Sequence, residues 1–226
     1  IKSRTNRPQA AILQRFFKTG PGQYGEGDVF LGLKVPLQRQ IGRQYRNLGW
    51  SELKGLLNSE IHEFRLIALL IMVEQYEQSK DIKDKKKIVD FYLKNTNRIN
   101  NWDLVDLSVY KILGDFLLLS DSTAVLDKLA DSKNLWERRM AVVATYAFIK
   151  AGRTEEILKI AKKLLQDEQD LIQKAVGWML REMGKRVSIK ELNKFLDDNY
   201  RQMPRTSLRY AIERLSPRER ERYLTK

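Results

Sequence analysis

The chain has no cysteine and a single histidine, His62, among 226 residues. Without thiols there are no disulfide staples, no cysteine nucleophiles and no thiolate metal sites. With one imidazole, histidine-based metal sites and Ser-His-Asp triads are close to excluded. Any chemistry must come from carboxylates, aromatic rings and cations. Long apolar runs are missing too. The longest, Leu66 to Val73, is far too short to span a bilayer, so no membrane partner is expected. There are only five prolines, Pro8, Pro21, Pro36, Pro204 and Pro217, each at an expected helix boundary. The chain starts at Ile1 and not at Met, and no signal-peptide pattern is read in its first segment. The expected location is the cytosol or nucleoid.

Charge is abundant. Lys and Arg total 42 against 29 Asp and Glu, a net +13 with a pI near 9.8. Such an excess points to a polyanion, nucleic acid before an anionic membrane surface. Hydrophobic residues make up 42%, enough for a folded core. Val and Ile fall at three- and four-residue spacing and not in alternation, which predicts helix nearly throughout. Ser216-Pro217 reads as a helix N-cap followed by its first residue, and Ser188 to Glu191 as a capping box. The glycine-rich stretch Gly20–Gly27 lacks the Lys-Ser/Thr of a phosphate loop and reads as a plain connection.

Internal similarity decides the architecture. Segments around Arg65, Asp106, Arg139, Lys174 and Arg209 each open an amphipathic helix, and Asp81–Asn97, Asp121–Ala130, Arg153–Gln166 and Ser188–Asp198 supply helical predecessors. Two helices per unit at a period of roughly 35–45 residues is the signature of HEAT-like repeats. We therefore expect an all-α fold: a right-handed α-solenoid with a concave DNA-binding face. It should form one domain over 1–226, with N-terminal helices in 1–50 and two-helix repeats in 51–226.

The row of equivalent positions reads Arg65, Asp106, Arg139, Lys174, Arg209. Four cations suit a phosphate backbone, whose binding should weaken steeply with salt. Asp106 opposes the charge of its row, which makes it a functional candidate. Trp102 lies one turn before it and Trp178 one turn after Lys174, in a stripe continuing through Arg181 and Lys185. Ile172, Val176, Met179 and Met183 form the opposite, core-facing stripe. An indole face attracts cations by ~0.5–2 kcal/mol. A carboxylate stabilises developing positive charge or orients water. Together they suit a purine made cationic by alkylation at N3 or N7. Its base departs neutral, so no general acid is needed and one carboxylate can suffice where ordinary glycoside hydrolases use two.

Taken singly, these residues have blander readings. A helical Trp is more often core than ligand, and Trp50 and Trp136 read as core or helix-edge packing. Asp106 could serve a helix start, although Asp103 suits that role better. His62 reads as a surface or packing histidine, and Lys83–Lys87 as a solvated helix face.

Four segments resemble the bacterial AlkD-like DNA alkylation repair glycosylases, a family built from HEAT-like repeats. They are Phe30–Pro36, Asn101–Asp106, Asn134–Arg139 and Ile172–Glu182. The resemblance implies excision of positively charged N3- and N7-alkylpurines from duplex DNA, without metal or cofactor; a monomer is expected. It makes Asp106 the catalytic carboxylate, sets Trp102 and Trp178 against the lesion nucleotide, and puts Arg139 on the nearby backbone. Lys174, Arg181, Arg65 and Arg209 are expected to join it as DNA contacts. The family motif often has two aromatics before the aspartate, whereas here Asn101 precedes Trp102. The competing readings are a non-catalytic HEAT-like nucleic-acid scaffold and a protein-interaction solenoid.

Overall fold

The computed structural model describes residues 4–120 and 122–225. Among them the protein is all-α as expected, with no strand and one isolated bridge between Val29 and Ile61. The expected helix start at Asp121 lies outside the described residues. The chain divides into two compact units, Ile1–Ser108 and Val109–Lys226.

The first unit contains α1 (Arg7–Phe16), α2 (Val35–Gln44), α3 (Trp50–Leu57), α4 (His62–Gln78), α5 (Ile82–Lys94), a 3-10 turn (Thr96–Arg98) and α6 (Trp102–Asp106). Its axis is α4. The Leu66 to Val73 run is at most 4% exposed, because α2, α3, α5 and α6 pack around it. A helix apolar on all sides is stable only when covered on all sides. Both ends of α1 are sequence-encoded: Asn6 accepts from the Gln9 amide, and Pro8 occupies a first-turn position where its missing N–H costs nothing. The glycine-rich segment is a connection made of turns, with Gly22 and Gly27 at φ of 72° and 83°. In the Lys83–Lys87 face, Lys86 and Lys87 are exposed and form ion pairs with Asp90 and Asp84.

The second unit begins with a π-helical turn (Tyr110–Gly114) that runs into α7 (Asp115–Ser120). Then come α8 (Ala124–Ala130), α9 (Leu135–Ala144), α10 (Tyr146–Lys150), α11 (Glu155–Lys163), α12 (Asp170–Arg186), α13 (Ile189–Asn199), α14 (Arg205–Ala211) and α15 (Pro217–Leu224). Between α9 and α10, the buried Thr145 hydroxyl donates to the Val142 carbonyl at 2.6 Å, diverting the helical ladder. Ile172, Val176, Met179 and Met183 are each at most 1% exposed, so α12 buries the expected stripe. Where α12 crosses α14, a Cβ on Gly177 would lie 2.3 Å from the Ser207 carbonyl oxygen. Only glycine permits that approach. Ser216 caps α15 in a complete capping box with Glu219.

The repeats have an internal register. At the fourth residue of α4, Arg65 donates to the carbonyls of Ser59 and Glu60; at the fourth of α9, Arg138 donates to those of Ser132 and Lys133. At the fourth of α12, Gln173 donates to the Asp167 carbonyl. In each case the side chain folds back onto the loop that enters its own helix. Such carbonyls have no helical partner of their own.

Candidate active site

Asp106 closes α6, a helix of five residues. Asn101 caps its start by accepting from the Trp102 amide at 2.8 Å. Asp103 sits in the first turn, where an anion meets the favourable end of the helix dipole. Asp106 sits at the opposite end, where the dipole disfavours it. Trp102 and Asp106 are both half-buried. The Trp102 indole stacks on Phe17 with centroids 5.1 Å apart and planes 15° off parallel. It also meets the exposed Phe16 edge-on at 5.9 Å. One indole face is therefore committed to packing.

Beneath Asp106 lies a buried polar pair. The Ser108 hydroxyl donates to the Leu104 carbonyl at 2.6 Å, so the Tyr92 hydroxyl, 2.9 Å away, donates to Ser108. Burial pushes the Tyr92 hydroxyl above the usual phenol range, and the charge of Asp106 adds to this against the Ser108 hydrogen bond. Tyr92 thus stays protonated beside the carboxylate.

Behind α6 is a buried charge cluster. His62 Nδ1 lies 3.0 Å from Asp28 and Nε2 lies 2.9 Å from Asp103. Arg65 pairs with Asp28 at 2.5 Å, and the Asn101 amide donates to Asp28 at 3.3 Å. Burial opposes a charged His62, but Asp103 and Asp28 outweigh it and raise its pKa to about 9. Burial would lift Asp28, yet His62 and Arg65 hold it below the ordinary carboxylate range. Beside the cluster, the buried Glu63 carboxylate accepts the amides of Leu31, Gly32 and Leu33. That interaction gives the Phe30–Pro36 motif its structural reason. Gly32 has φ of 83° and its absent Cβ would lie 2.2 Å from the Asn6 carbonyl oxygen.

In the second unit, Trp178 is half-buried on α12 and lies 6.5 Å from the Tyr146 ring at 30°. Tyr146 meets Tyr110 edge-on at 5.3 Å and carries the Arg186 guanidinium 5.4 Å from its centroid. Lys174 is half-exposed and pairs with Asp170 at 2.7 Å; Arg209 is exposed.

Two of the expected DNA contacts are buried and a third is half-buried. Arg65 is 1% exposed and bound to Asp28 and to loop carbonyls, so it cannot reach a phosphate. Its place in the row was one residue off: it is equivalent to Arg138, and buried Leu66 holds the position of Arg139. Arg139 is 5% exposed and donates to the Leu171 carbonyl, so it presents no open cation. The Arg181 side chain is 16% exposed and closes on Glu213. His62, expected at the surface or in plain packing, is instead the centre of an ionic cluster. Trp136 is buried core, and Trp50 packs on Phe91 at 4.9 Å while 42% exposed. Phe17, Tyr92, Tyr146 and Asp28 were not singled out in the sequence. Within the first unit Phe17 meets Trp102, Tyr92 lies near Asp106 and Asp28 bonds His62, and within the second Tyr146 meets Trp178; these partners are far apart in the chain and no local pattern marks them.

A family model described as DNA alkylation repair enzyme matches residues 1–215. The chain belongs to this family. Among solved structures, this DNA alkylation repair family member is similar to one described as a predicted DNA alkylation repair enzyme from Enterococcus faecalis. That match has a TM-score of 0.72 at 16% identity, covering 94% of this chain and 97% of that one. It is also similar to AlkD2 from Streptococcus mutans (TM-score 0.56, 17% identity, 92% and 97% covered) and to smu.31 from Streptococcus mutans UA159 (0.55, 16%, 91% and 95%). At such identities the likeness establishes the shared fold. No curated protein matches the chain.

Proposed function

We propose that this protein is a DNA glycosylase that hydrolyses the N-glycosidic bond of positively charged N3- and N7-alkylpurines, such as 3-methyladenine and 7-methylguanine, in duplex DNA. Water attacks the sugar C1′, the bond to the base breaks, and its electron pair neutralises the departing cationic purine. Asp106 stabilises the oxocarbenium-like sugar and positions the water, whose proton passes to bulk solvent as the C1′–O bond forms. Trp102 and Trp178 offer π faces to the damaged nucleotide, and Lys174 and Arg209 meet phosphates. The buried Arg139 and the half-buried Arg181 hold the helices that present these groups. The reaction requires no metal or cofactor, because alkylation has already activated the leaving group. On this reading the protein acts as a monomer in the bacterial cytosol or nucleoid. The family membership supports it. The observation that carries it is the half-buried Asp106 one turn from an indole whose other face is backed by Phe17.

Incubation with methylated duplex DNA should release free 3-methyladenine and 7-methylguanine. Asp106→Asn should slow release by about 10²–10³-fold, the size of a lost electrostatic contact to a developing charge, while duplex affinity holds or improves. Full activity in that variant removes Asp106 from the mechanism. Salt-sensitive DNA binding with no base release by the unmodified protein would favour the nucleic-acid scaffold reading.

A further inference from the structure

The chain's one histidine is buried, ionic and outside the chemistry just proposed. His62 is the first residue of α4, where the helix dipole disfavours a cation. Yet both ring nitrogens face carboxylates, Asp28 at 3.0 Å and Asp103 at 2.9 Å. A neutral imidazole has one N–H and one bare nitrogen, and a bare nitrogen cannot bond an ionised carboxylate. The geometry therefore calls for the imidazolium. The charged groups around it balance: His62 and Arg65 against Asp28 and Asp103, with Glu63 engaged by the Leu31–Leu33 amides.

Two routes lead from this ring to Trp102. The first is through the backbone. Asn101 and Asp103 flank Trp102, and both belong to the cluster, through Asp28 and His62 respectively. Asp103 also accepts the Leu104 amide at 2.9 Å, and Asn101 the Trp102 amide. The second is through rings. His62 stacks on Phe30 at 4.6 Å, Phe30 on Phe17 at 5.0 Å, and Phe17 on Trp102 at 5.1 Å. We propose that His62 is a positioning residue: clamped as an imidazolium between Asp28 and Asp103, it fixes the orientation of Trp102 and of the short helix that ends in Asp106. The functional half of this inference rests on the glycosylase reading; the clamp itself does not.

The single histidine makes the test direct. Nitrogen-15 NMR of His62 should show both ring nitrogens protonated at pH 7.5, with a midpoint near the value of about 9 given above. With 5-fluorotryptophan incorporated and the signals assigned with single Trp→Phe variants, the Trp102 fluorine resonance should shift with that same midpoint. The resonance of buried Trp136 should not. Asp103→Asn should remove the midpoint from the Trp102 signal, because an amide can donate to a neutral ring that still donates to Asp28. His62→Gln should lower the single-turnover excision rate about 10- to 100-fold, the scale of a small misplacement at a reacting centre, with duplex affinity within about twofold. Equal losses in rate and affinity would overturn the positioning role. If His62→Gln does not fold, the titration of the unmodified protein still decides. A neutral ring at pH 7.5, or an imidazolium whose titration leaves Trp102 unmoved, overturns the proposal. If Trp102 follows His62 but methylated DNA releases no base at any pH, the clamp stands and the glycosylase reading falls.

Discussion

Replacing Glu63 tests what holds the N-terminal segment against α4. The carboxylate is fully buried and accepts four hydrogen bonds from three consecutive amides. Leu31 donates to both oxygens at 2.9 and 3.0 Å, Gly32 donates at 2.8 Å and Leu33 at 3.2 Å. Glu63→Ala would leave three amides without an acceptor at about 1–3 kcal/mol each, a loss comparable to the whole stability of a typical domain, about 5–15 kcal/mol. Glu63→Gln is the finer perturbation. It keeps one oxygen for Gly32 and Leu33 but replaces charge-assisted bonds, worth about 1.5–3 kcal/mol, with neutral ones nearer 1. Its NH2 group also faces the Leu31 N–H, donor against donor. We expect a loss of about 2–4 kcal/mol, read as a lower urea midpoint by circular dichroism. Amide exchange at Leu31, Gly32 and Leu33 should accelerate more than exchange in α12. A Glu63→Gln variant within about 0.5 kcal/mol of the parent, with those amides still protected, would refute the reasoning.

The raised pKa of His62 sets a pH dependence of stability with a definite sign. Folding binds the proton more tightly than the unfolded chain does, so this contribution is complete below about 6.5 and is lost as pH climbs to about 9. A shift of that size corresponds to a loss on the order of 3 kcal/mol, seen as a falling melting temperature from pH 6 to 9.5. His62→Gln should flatten the slope, and an equal slope in both proteins would contradict the linkage. Gly177→Ala should destabilise by about 1–3 kcal/mol, because its Cβ would meet the Ser207 backbone at 2.3 Å. Gly55→Ala should stabilise by about 0.5–1 kcal/mol, since nothing lies within 4 Å of that exposed helical position. Matching denaturant midpoints for the two alanine variants would show that the steric contrast is unimportant.

Local rules were readable from the sequence. The 3.6-residue periodicity, the Ser216-Pro217 start and the buried stripe of α12 depend on residues a turn or two apart, and all are present. The row failed at Arg65 because a basic residue early in a helix has two possible roles. At the fourth position it folds back on loop carbonyls, as Arg65 and Arg138 do. At the fifth lie Asp106, Arg139, Lys174 and Arg209. Composition cannot distinguish two registers one residue apart. Arg139-Met and Arg138-Arg139 look alike until the carbonyls are located. His62 was misread for a different reason: its partners are 34 and 41 residues away. A buried ionic cluster leaves no periodic trace. At the end of the π turn Tyr110–Gly114, a Cβ on Gly114 would lie 2.4 Å from the Ala144 carbonyl oxygen, a tertiary approach that no local pattern marks.

This separation of registers bears on how Asp106 variants are interpreted. In α4, α9 and α12 the fourth residue secures the entering loop, and the fifth takes no part in that bond. In α6 the fourth residue is Val105, which has no side-chain donor. The α3–α4 loop there is held by a third cation, Arg98, which donates to the carbonyls of Leu57, Asn58 and Ser59. The start of α6 is fixed by Asn101 and Asp103, and its core side by Leu104 and Val105, both fully buried. Placed at the C-terminal end of its helix, the Asp106 carboxylate opposes the dipole, a cost of about 0.3–1 kcal/mol. An isosteric, uncharged Asn removes that cost. A loss of base release in Asp106→Asn with an unchanged or raised melting temperature would then report the chemistry of the carboxylate and not the integrity of the helix that carries it.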